Sequence, residues 1–421
     1  MPIKNNQGSD NIPLLRFSEF KDKWNEEKMD EIYSFKVTNS FSRDNLNYEE
    51  GTVKNIHYGD IHTKFQTLFD ITKEAVPFVN SDISIDRISE DNYCKEGDLI
   101  LADASEDLND VGKSIEIFNL NNEKLLAGLH TILARPNLEK FDIGFGGYLF
   151  KSYKVRTKIQ KEAQGSKVLS ISATRLTNIS LNFPSKDEQK KIVKCFSAID
   201  EKIQALKKKH SLLEQYKKGV MQKLFSQALR FKDEDGKEFS DWEVKTGGKL
   251  FESISNKNHN SDLPILAISQ EFGAVPREMI NYQISVTDKS VESYKVVEVG
   301  DFIISLRSFQ GGIEYSNYKG ICSPAYVILR NTQPINKVFF KYYFKTDYYI
   351  QRLCEKLEGI RDGKMISYKY FSEIELPYPS ITEQTAIANF LSALDEKISQ
   401  TQQQIEKTEV WKKGLLQKMF V

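Results

Sequence analysis

Apolar residues recur every seven positions along two stretches of the chain. In the first, Ile192, Ile199, Leu206, Leu213 and Val220 form one row. Phe196, Ile203 and Leu224 form a second row four residues on, broken by the polar His210 and Lys217. In the second stretch, Ile387, Leu394 and Leu415 repeat the first row, and Leu391, Ile398, Ile405 and Met419 repeat the second. This spacing predicts two long amphipathic helices, each with a heptad seam. Pro184-Ser185 and Pro379-Ser380 stand at the two starts. Glu188 and Glu383 follow each serine by three residues, as in a capping box. Each helix would run about 40 residues, roughly 60 Å at 1.5 Å per residue. Neither buries its seam alone, so antiparallel packing of one on the other as a coiled coil is expected. Gly219 and Gly414 lie inside the pattern. A glycine within a helix costs about 1 kcal/mol against alanine, so close backbone approach to a partner is expected at both.

The two stretches are copies. Residues 181–226 and 376–421 align without a gap at an offset of 195, with 19 identities in 46 positions. P-S-x-x-E-Q opens both, D-E-K-I lies in the middle, and K-K-G-x-x-Q-K-x-F closes both. The period is far longer than the roughly 20–50 residues of a solenoid repeat, so the chain is two large units joined head to tail. Other landmarks agree. Leu15-Arg16-Phe17 precedes Trp24, and Leu229-Arg230-Phe231 precedes Trp242. Gly97-Asp98-Leu99-Ile100 matches Gly300-Asp301-Phe302-Ile303, each a turn entering a strand, and Leu133-Ala134-Arg135 matches Leu329-Arg330. Between these landmarks the halves have little in common. The scaffold is repeated while its decoration has diverged.

The fold class is therefore α+β. Two mixed α/β domains of short strands and long loops are separated by two long helices forming an antiparallel coiled coil, in a pseudo-two-fold tandem duplication. The expected organisation is a flexible N-terminus over 1–12, a first domain over 13–180 and a first helix over 181–226. A second domain over 227–375 and a second helix over 376–421 follow. The length of 421 residues and the 40% hydrophobic content fit two such domains.

Charge and cysteine usage narrow the picture only a little. Lys and Arg equal Asp and Glu at 59 each, so bulk charge does not announce nucleic acid. The distribution is uneven: residues 151–175 hold seven basic residues against one acid, and 186–223 hold eleven lysines against five acids. A local basic surface is compatible with this, as is a solvated lysine-rich helix face. Cys94, Cys195, Cys322 and Cys354 stand far apart without a C-x-x-C and read as reduced thiols. His57 and His62 flank Asp60 without a further ligand, so no metal site is expected. No apolar run reaches the roughly 20 residues of a membrane span. The N-terminal stretch lacks the apolar core of a secretory signal. A cytoplasmic protein that does not engage membranes is expected.

Catalytic motifs are scarce. Asp142-Ile143-Gly144-Phe145-Gly146 reads D-x-G-x-G, a short pattern shared with S-adenosylmethionine loops, yet a short glycine motif is a weak signal. The tetrapeptide with which an adenine methyltransferase holds a flipped base is not matched by Asn182-Phe183-Pro184-Ser185. No G-x-x-x-x-G-K-[ST], H-E-x-x-H or G-x-S-x-G occurs. The chain reads as a binding and assembly protein without catalytic residues. Its candidate DNA-contacting residues lie in polar loops rich in glycine. In the first unit these are His57, Tyr58, His62, Lys64 and Lys113. In the second they are Arg277, Arg307, Ser308, Gln310, Arg361 and Lys364. Arginine and glutamine pair with purine edges, and glycine permits close backbone approach.

These features carry a resemblance. The twin P-S-x-x-E-Q helices, the L-R-F openings before a tryptophan and the G-D-x-I turns resemble the specificity subunit of type I restriction–modification systems. GDFIISLRSFQGGIEYSNYKGICSPAYVILR, residues 300–330, is similar to that family's target-recognition domain. The resemblance spans nearly the whole chain and is weaker between residues 33 and 96. It implies two target-recognition domains, each reading one half of a split, asymmetric target in double-stranded DNA. It implies that the helices act as spacer and as dock for two methyltransferase subunits. Those partners, not this chain, would hold S-adenosylmethionine, and two restriction/translocase subunits would complete the assembly. Two other readings stand beside it: a self-sufficient adenine methyltransferase, and a coiled-coil adaptor that does not touch DNA.

Overall fold

The computed structural model describes residues 11–259, 262–280, 291–355 and 366–421. The flexible N-terminus expected over 1–12 lies outside this range except for Asn11 and Ile12, and the Asn11 carbonyl accepts the Trp24 N–H. The chain separates into two compact units: residues 1–207 with 403–421, and residues 208–402. The boundaries thus fall inside the two long helices rather than at their ends.

The first unit is built on a five-stranded sheet of β1 (Tyr33–Lys36), β2 (Leu68–Asp70), β3 (Leu99–Ala102), β4 (Ser114–Asn119) and β5 (Thr131–Pro136). Its order is β1-β5-β3-β4-β2, antiparallel except for β2 beside β4. Strand β3 reads LILA, and all four residues are buried. A strand covered on both faces shows a continuous apolar run rather than alternation. Leu99 and Leu101 face a core with Trp24, Phe145 and Tyr148, while Ile100 and Ala102 face one with Ile56, Phe69 and Ile117.

The second unit repeats the sheet in shorter form with β6 (Phe251–Ile254), β7 (Leu266–Ser269), β8 (Gly273–Pro276), β9 (Phe302–Ile304), β10 (Glu314–Tyr315) and β11 (Val327–Asn331). Its four-stranded sheet runs β6-β11-β9-β10, the counterpart of β1-β5-β3-β4, and β7–β8 form a separate hairpin.

The G-D landmarks now have a physical cause. Gly97 and Gly300 sit at φ +92° and +89°, a left-handed turn that favours glycine. The following aspartate closes the turn: Asp98 accepts the Lys95 N–H at 2.8 Å, and Asp301 accepts the Glu298 N–H at 2.8 Å. Each aspartate also receives a two-pronged arginine. Arg135 donates to Asp98 at 2.9 and 2.8 Å, and Arg330 to Asp301 at 2.8 and 2.7 Å. A bidentate fork of this kind fixes geometry as well as charge. It ties the turn entering β3 to β5, and the turn entering β9 to β11.

The repeated helices are α1 (Lys186–Phe225, 40 residues) and α2 (Ile381–Met419, 39 residues). In the first unit, Ile192, Phe196, Ile199 and Ile203 of α1 are buried with Met419 and Phe420, and Leu415 packs on the same cluster. In the second unit, Val220 and Leu224 of α1 are buried with Ile387, Leu391 and Leu394 of α2. Ile405 is buried, while Leu206, Leu213 and Ile398 are half-buried. Within each unit the helix segments run antiparallel: Asp200 meets Lys412 and Lys207 meets Glu409 in the first, and Lys217 meets Asp395 in the second. The seam is nevertheless not purely helix on helix. Phe196 stacks on Tyr148 with ring centroids 5.1 Å apart, so the apolar stripe is wide enough to cover a domain core as well.

Two local expectations are corrected. The glutamates three residues after the helix-start serines are buried acceptors for arginine. Arg16 donates Nε and Nη2 to Glu188, both at 2.7 Å, and Arg230 donates to Glu383 at 3.0 and 2.9 Å. The Ser380 hydroxyl does cap, accepting the Glu383 N–H at 3.2 Å. Gly219 and Gly414 are not sites of close approach, because a Cβ on either would meet nothing within 4 Å. Both face outward.

Candidate nucleic-acid interface

In the first unit the candidate residues gather around a short helix, Tyr58–Thr63. The His57 ring accepts the Gly59 N–H at 3.2 Å and thereby caps that helix. Burial and the nearby Arg43 guanidinium hold its pKa below the ordinary value, so it is a neutral acceptor here. Tyr58 sits among three rings, with centroids 4.5 Å from His57, 5.9 Å from His62 and 5.3 Å from His130. The Lys113 ammonium donates to the His62 carbonyl at 2.6 Å and pairs with Asp110 at 3.3 Å. Lys64 pairs with the fully buried Asp60 at 2.8 Å and donates to the Tyr48 hydroxyl at 3.1 Å. Arg43 forks onto the same carboxylate at 2.8 and 2.9 Å. Burial raises the Asp60 carboxyl, but the two cations outweigh it and hold its pKa below the usual carboxylate value. The structure thus brings all five candidates together with Asp60, which the sequence places between the two histidines, and adds Arg43 and Tyr48, for which the sequence offered no signal beyond their polarity. Both Arg43 and Lys64 keep nearly half of their side chains exposed, so a positive rim remains over the buried aspartate.

In the second unit Arg277 and Arg307 line one cavity between the β7–β8 hairpin and the loop after β9. Gln310 is exposed on the same loop. Ser308 is buried, and its hydroxyl accepts the Ser305 N–H at 2.9 Å. It therefore holds the turn in place instead of facing outward as a DNA contact. Arg361 and Lys364 lie outside the described residues.

The D-x-G-x-G stretch has a structural role. The N–H groups of Gly144 and Gly147 donate to the two oxygens of Glu116, each at 2.5 Å. Gly144 lies at φ +98°. These donors, one in the stretch and one just past it, are turned onto a buried side chain of the same unit, and Gly146 lies where a Cβ would come within 2.7 Å of the Tyr33 hydroxyl. Among the described residues no group of three His, Cys, Asp or Glu side chains could hold a metal ion, and no helix is long and apolar enough to cross a membrane.

One frame is built twice, and each copy carries its own set of polar loops. Residues 21–215 and 239–409 match the type I restriction modification DNA specificity domain, and the chain belongs to that family. The family comprises non-catalytic, DNA-recognising subunits. Similar proteins include the MjaX specificity subunit of Methanocaldococcus jannaschii, 30% identical over 73% of each chain. The MjaVIII specificity subunit of the same organism is 27% identical over 72% of this chain and 74% of its own. Among solved structures, the type I restriction–modification S subunit from M. genitalium shares the fold. It has a TM-score of 0.57 and 17% identity, covering 97% of this chain and 99% of that one.

Proposed function

We propose that this chain is the address-reading subunit of a type I restriction–modification complex. Each unit reads one half of a bipartite, asymmetric double-stranded DNA target, and the paired helices set the gap between the halves. The observation that carries this reading is the contrast between kept and changed parts. The arginine–aspartate and arginine–glutamate pairs recur in both units, whereas the loops above them share almost no residues. A symmetric protein dimer imposes a palindromic site, and two unlike heads on one frame remove that requirement. Lysine and arginine beside the loops would bind phosphates, with affinity falling as salt rises.

The chemistry belongs to partners. Two methyltransferase subunits would bind S-adenosylmethionine, this chain would bind no cofactor, and two restriction/translocase subunits would complete the cytoplasmic assembly. The helices offer a repeated dock for a partner present twice. Tyr216 and Trp411, at equivalent positions of the repeat, are 53% and 54% exposed. Each stands three residues before an outward glycine, Gly219 or Gly414, on the same helix face.

Single-molecule methylome sequencing of cells carrying the chain with its methyltransferase tests this. A methylated, interrupted, non-palindromic motif that vanishes when the chain is deleted is expected. Methylation that persists without the chain, or none with both proteins expressed, would overturn the reading.

A further inference from the structure

The cavity of the second unit has a volume of about 700 Å³ and is lined by Gln270, Phe272, Arg277, Ser305, Arg307 and Tyr326, among others. Its polar groups are poised for a ligand. The Gln270 amide donates Nε2–H to the Arg307 carbonyl at 2.9 Å. On its other side the amide lies against Gly311, where a Cβ would come within 2.7 Å of the Gln270 Cδ. The glutamine therefore locks the backbone from which Arg307 projects. Arg277 Nε is buried and has no hydrogen-bond partner among the described residues. Arg307 is exposed. The apolar Phe272 and Leu306 form part of the surroundings, 53% and 52% exposed.

Glu271 and the serines Ser269, Ser305 and Ser323 also line the cavity. Its two guanidinium groups, each with five N–H donors and no acceptor, favour a ligand edge that presents paired acceptors to them. In the major groove, guanine alone shows two adjacent acceptors, O6 and N7. Adenine and cytosine each place an amino donor there, and thymine offers a single acceptor beside a methyl group.

We propose that this cavity receives the major-groove edge of a guanine in the half-site read by the second unit. Arg307 is the specificity-determining residue, Arg277 supplies a further donor, and Gln270 is a positioning residue acting through the Arg307 backbone. The proposal rests on the bipartite reading above and deepens it.

The test uses the full chain assembled with its methyltransferase subunits. Methylation rates are measured on duplexes carrying each of the four bases at every position of both halves. Arg307→Ala is expected to relax a guanine preference at one position of the second half by roughly 5- to 150-fold, the discrimination a bidentate pair provides. The first half stays unchanged, which also reports that the protein remains folded. Gln270→Ala and Gly311→Ala should relax the same position more weakly. Gln270→Asn should restore part of the preference if the amide's hold on the loop is what matters. A uniform loss of rate in Arg307→Ala with every base preference intact, or relaxation at a base other than guanine, would overturn the proposal. A wild-type complex with no split preference at all would overturn the bipartite reading itself, and is distinguishable from both.

Discussion

Glu116 and Glu314 lie on equivalent strands, those that pair with β3 and β9, but one register step apart: Glu116 stands opposite Leu99, the counterpart of Phe302, whereas Glu314 stands opposite Ile303. Both are buried. In the first unit the carboxyl accepts two backbone N–H groups of the Gly144–Gly147 turn. In the second it pairs with Lys345 at 2.5 Å, and the same ammonium donates to the Gly311 carbonyl at 2.8 Å. Each unit thus buries a carboxylate on this strand and satisfies it with different chemistry, a glycine loop in one unit and a cation in the other. The frame around it has not changed. The forks of Arg135 on Asp98 and Arg330 on Asp301 are equivalent, as are those of Arg16 on Glu188 and Arg230 on Glu383. Duplication preserved the pairs that tie strands and helix starts together, and divergence began where the loops meet the frame.

The sharpest way to break this comparison is to remove the shared forks. Arg16→Ala would leave Glu188 buried without its arginine, and losing one partner of a buried pair costs about 3–5 kcal/mol. Arg230→Ala should cost less, because Glu383 keeps a hydrogen bond from Trp242 Nε1 at 2.9 Å. Its counterpart Trp24 Nε1 is buried without a partner among the described residues. Pulsed hydrogen exchange in urea, read separately on peptides of the two units, would show each loss confined to one unit. Equal losses in both units from one substitution would contradict the assignment of a fork to each.

A middle-sized effect separates the two glutamates by pH. Burial pushes the Glu116 carboxyl up to about 8 against its two N–H donors, while an unfolded glutamate titrates near about 4.3. Between those values the native first unit binds the extra proton. Its stability is therefore full below the lower value and falls as pH rises through the upper one, by at most about 1.4 kcal/mol per pH unit. Burial also raises the Glu314 carboxyl, with Lys345 pulling it back, so a shallower decline is expected there. Urea midpoints from pH 6 to 8.5 should show the steeper fall in the first unit, and Glu116→Gln should flatten it. A slope unchanged by that substitution would remove Glu116 as its source.

The smallest effects belong to the helix pairs. Asp200 meets Lys412 and Asp395 meets Lys217, each beside a tyrosine hydroxyl, from Tyr148 at 3.0 Å and Tyr342 at 2.7 Å. These groups are partly exposed, so Lys412→Met or Lys217→Met should each cost about 0.2–1 kcal/mol. A matching loss from the two substitutions would sharpen the equivalence of the units, and a large loss from only one would break it.

Much of the frame was legible because each important residue was written twice. The D of D-E-K-I and the first K of K-K-G are the cross-helix ion pair. The Q of P-S-x-x-E-Q is Gln189 or Gln384, whose amide N–H donates to the Pro184 or Pro379 carbonyl at 2.9 or 2.8 Å. Repetition marked these letters without saying what they touch, since Arg135 lies 37 residues from Asp98 and Arg16 lies 172 from Glu188. The outward glycines misled because a helical glycine signals close approach only if something lies against it. In the loops, legibility stopped at residue type. His57 and Ser308, both read as candidate contacts, also cap and brace their own turns; for the serine this is how a short polar side chain competes for nearby backbone groups. Glu116 gave no sign at all, because a buried carboxylate on a strand is spaced like any other strand residue.

The central claim is that the two heads read separately, and a head replacement tests it most directly. A chain in which residues 13–180 are replaced by residues 227–375 carries the same reader twice. Methylome sequencing of cells expressing it with the methyltransferase should yield a target with two identical halves, both equal to the second half of the natural one. Retention of the original asymmetric motif would contradict the account.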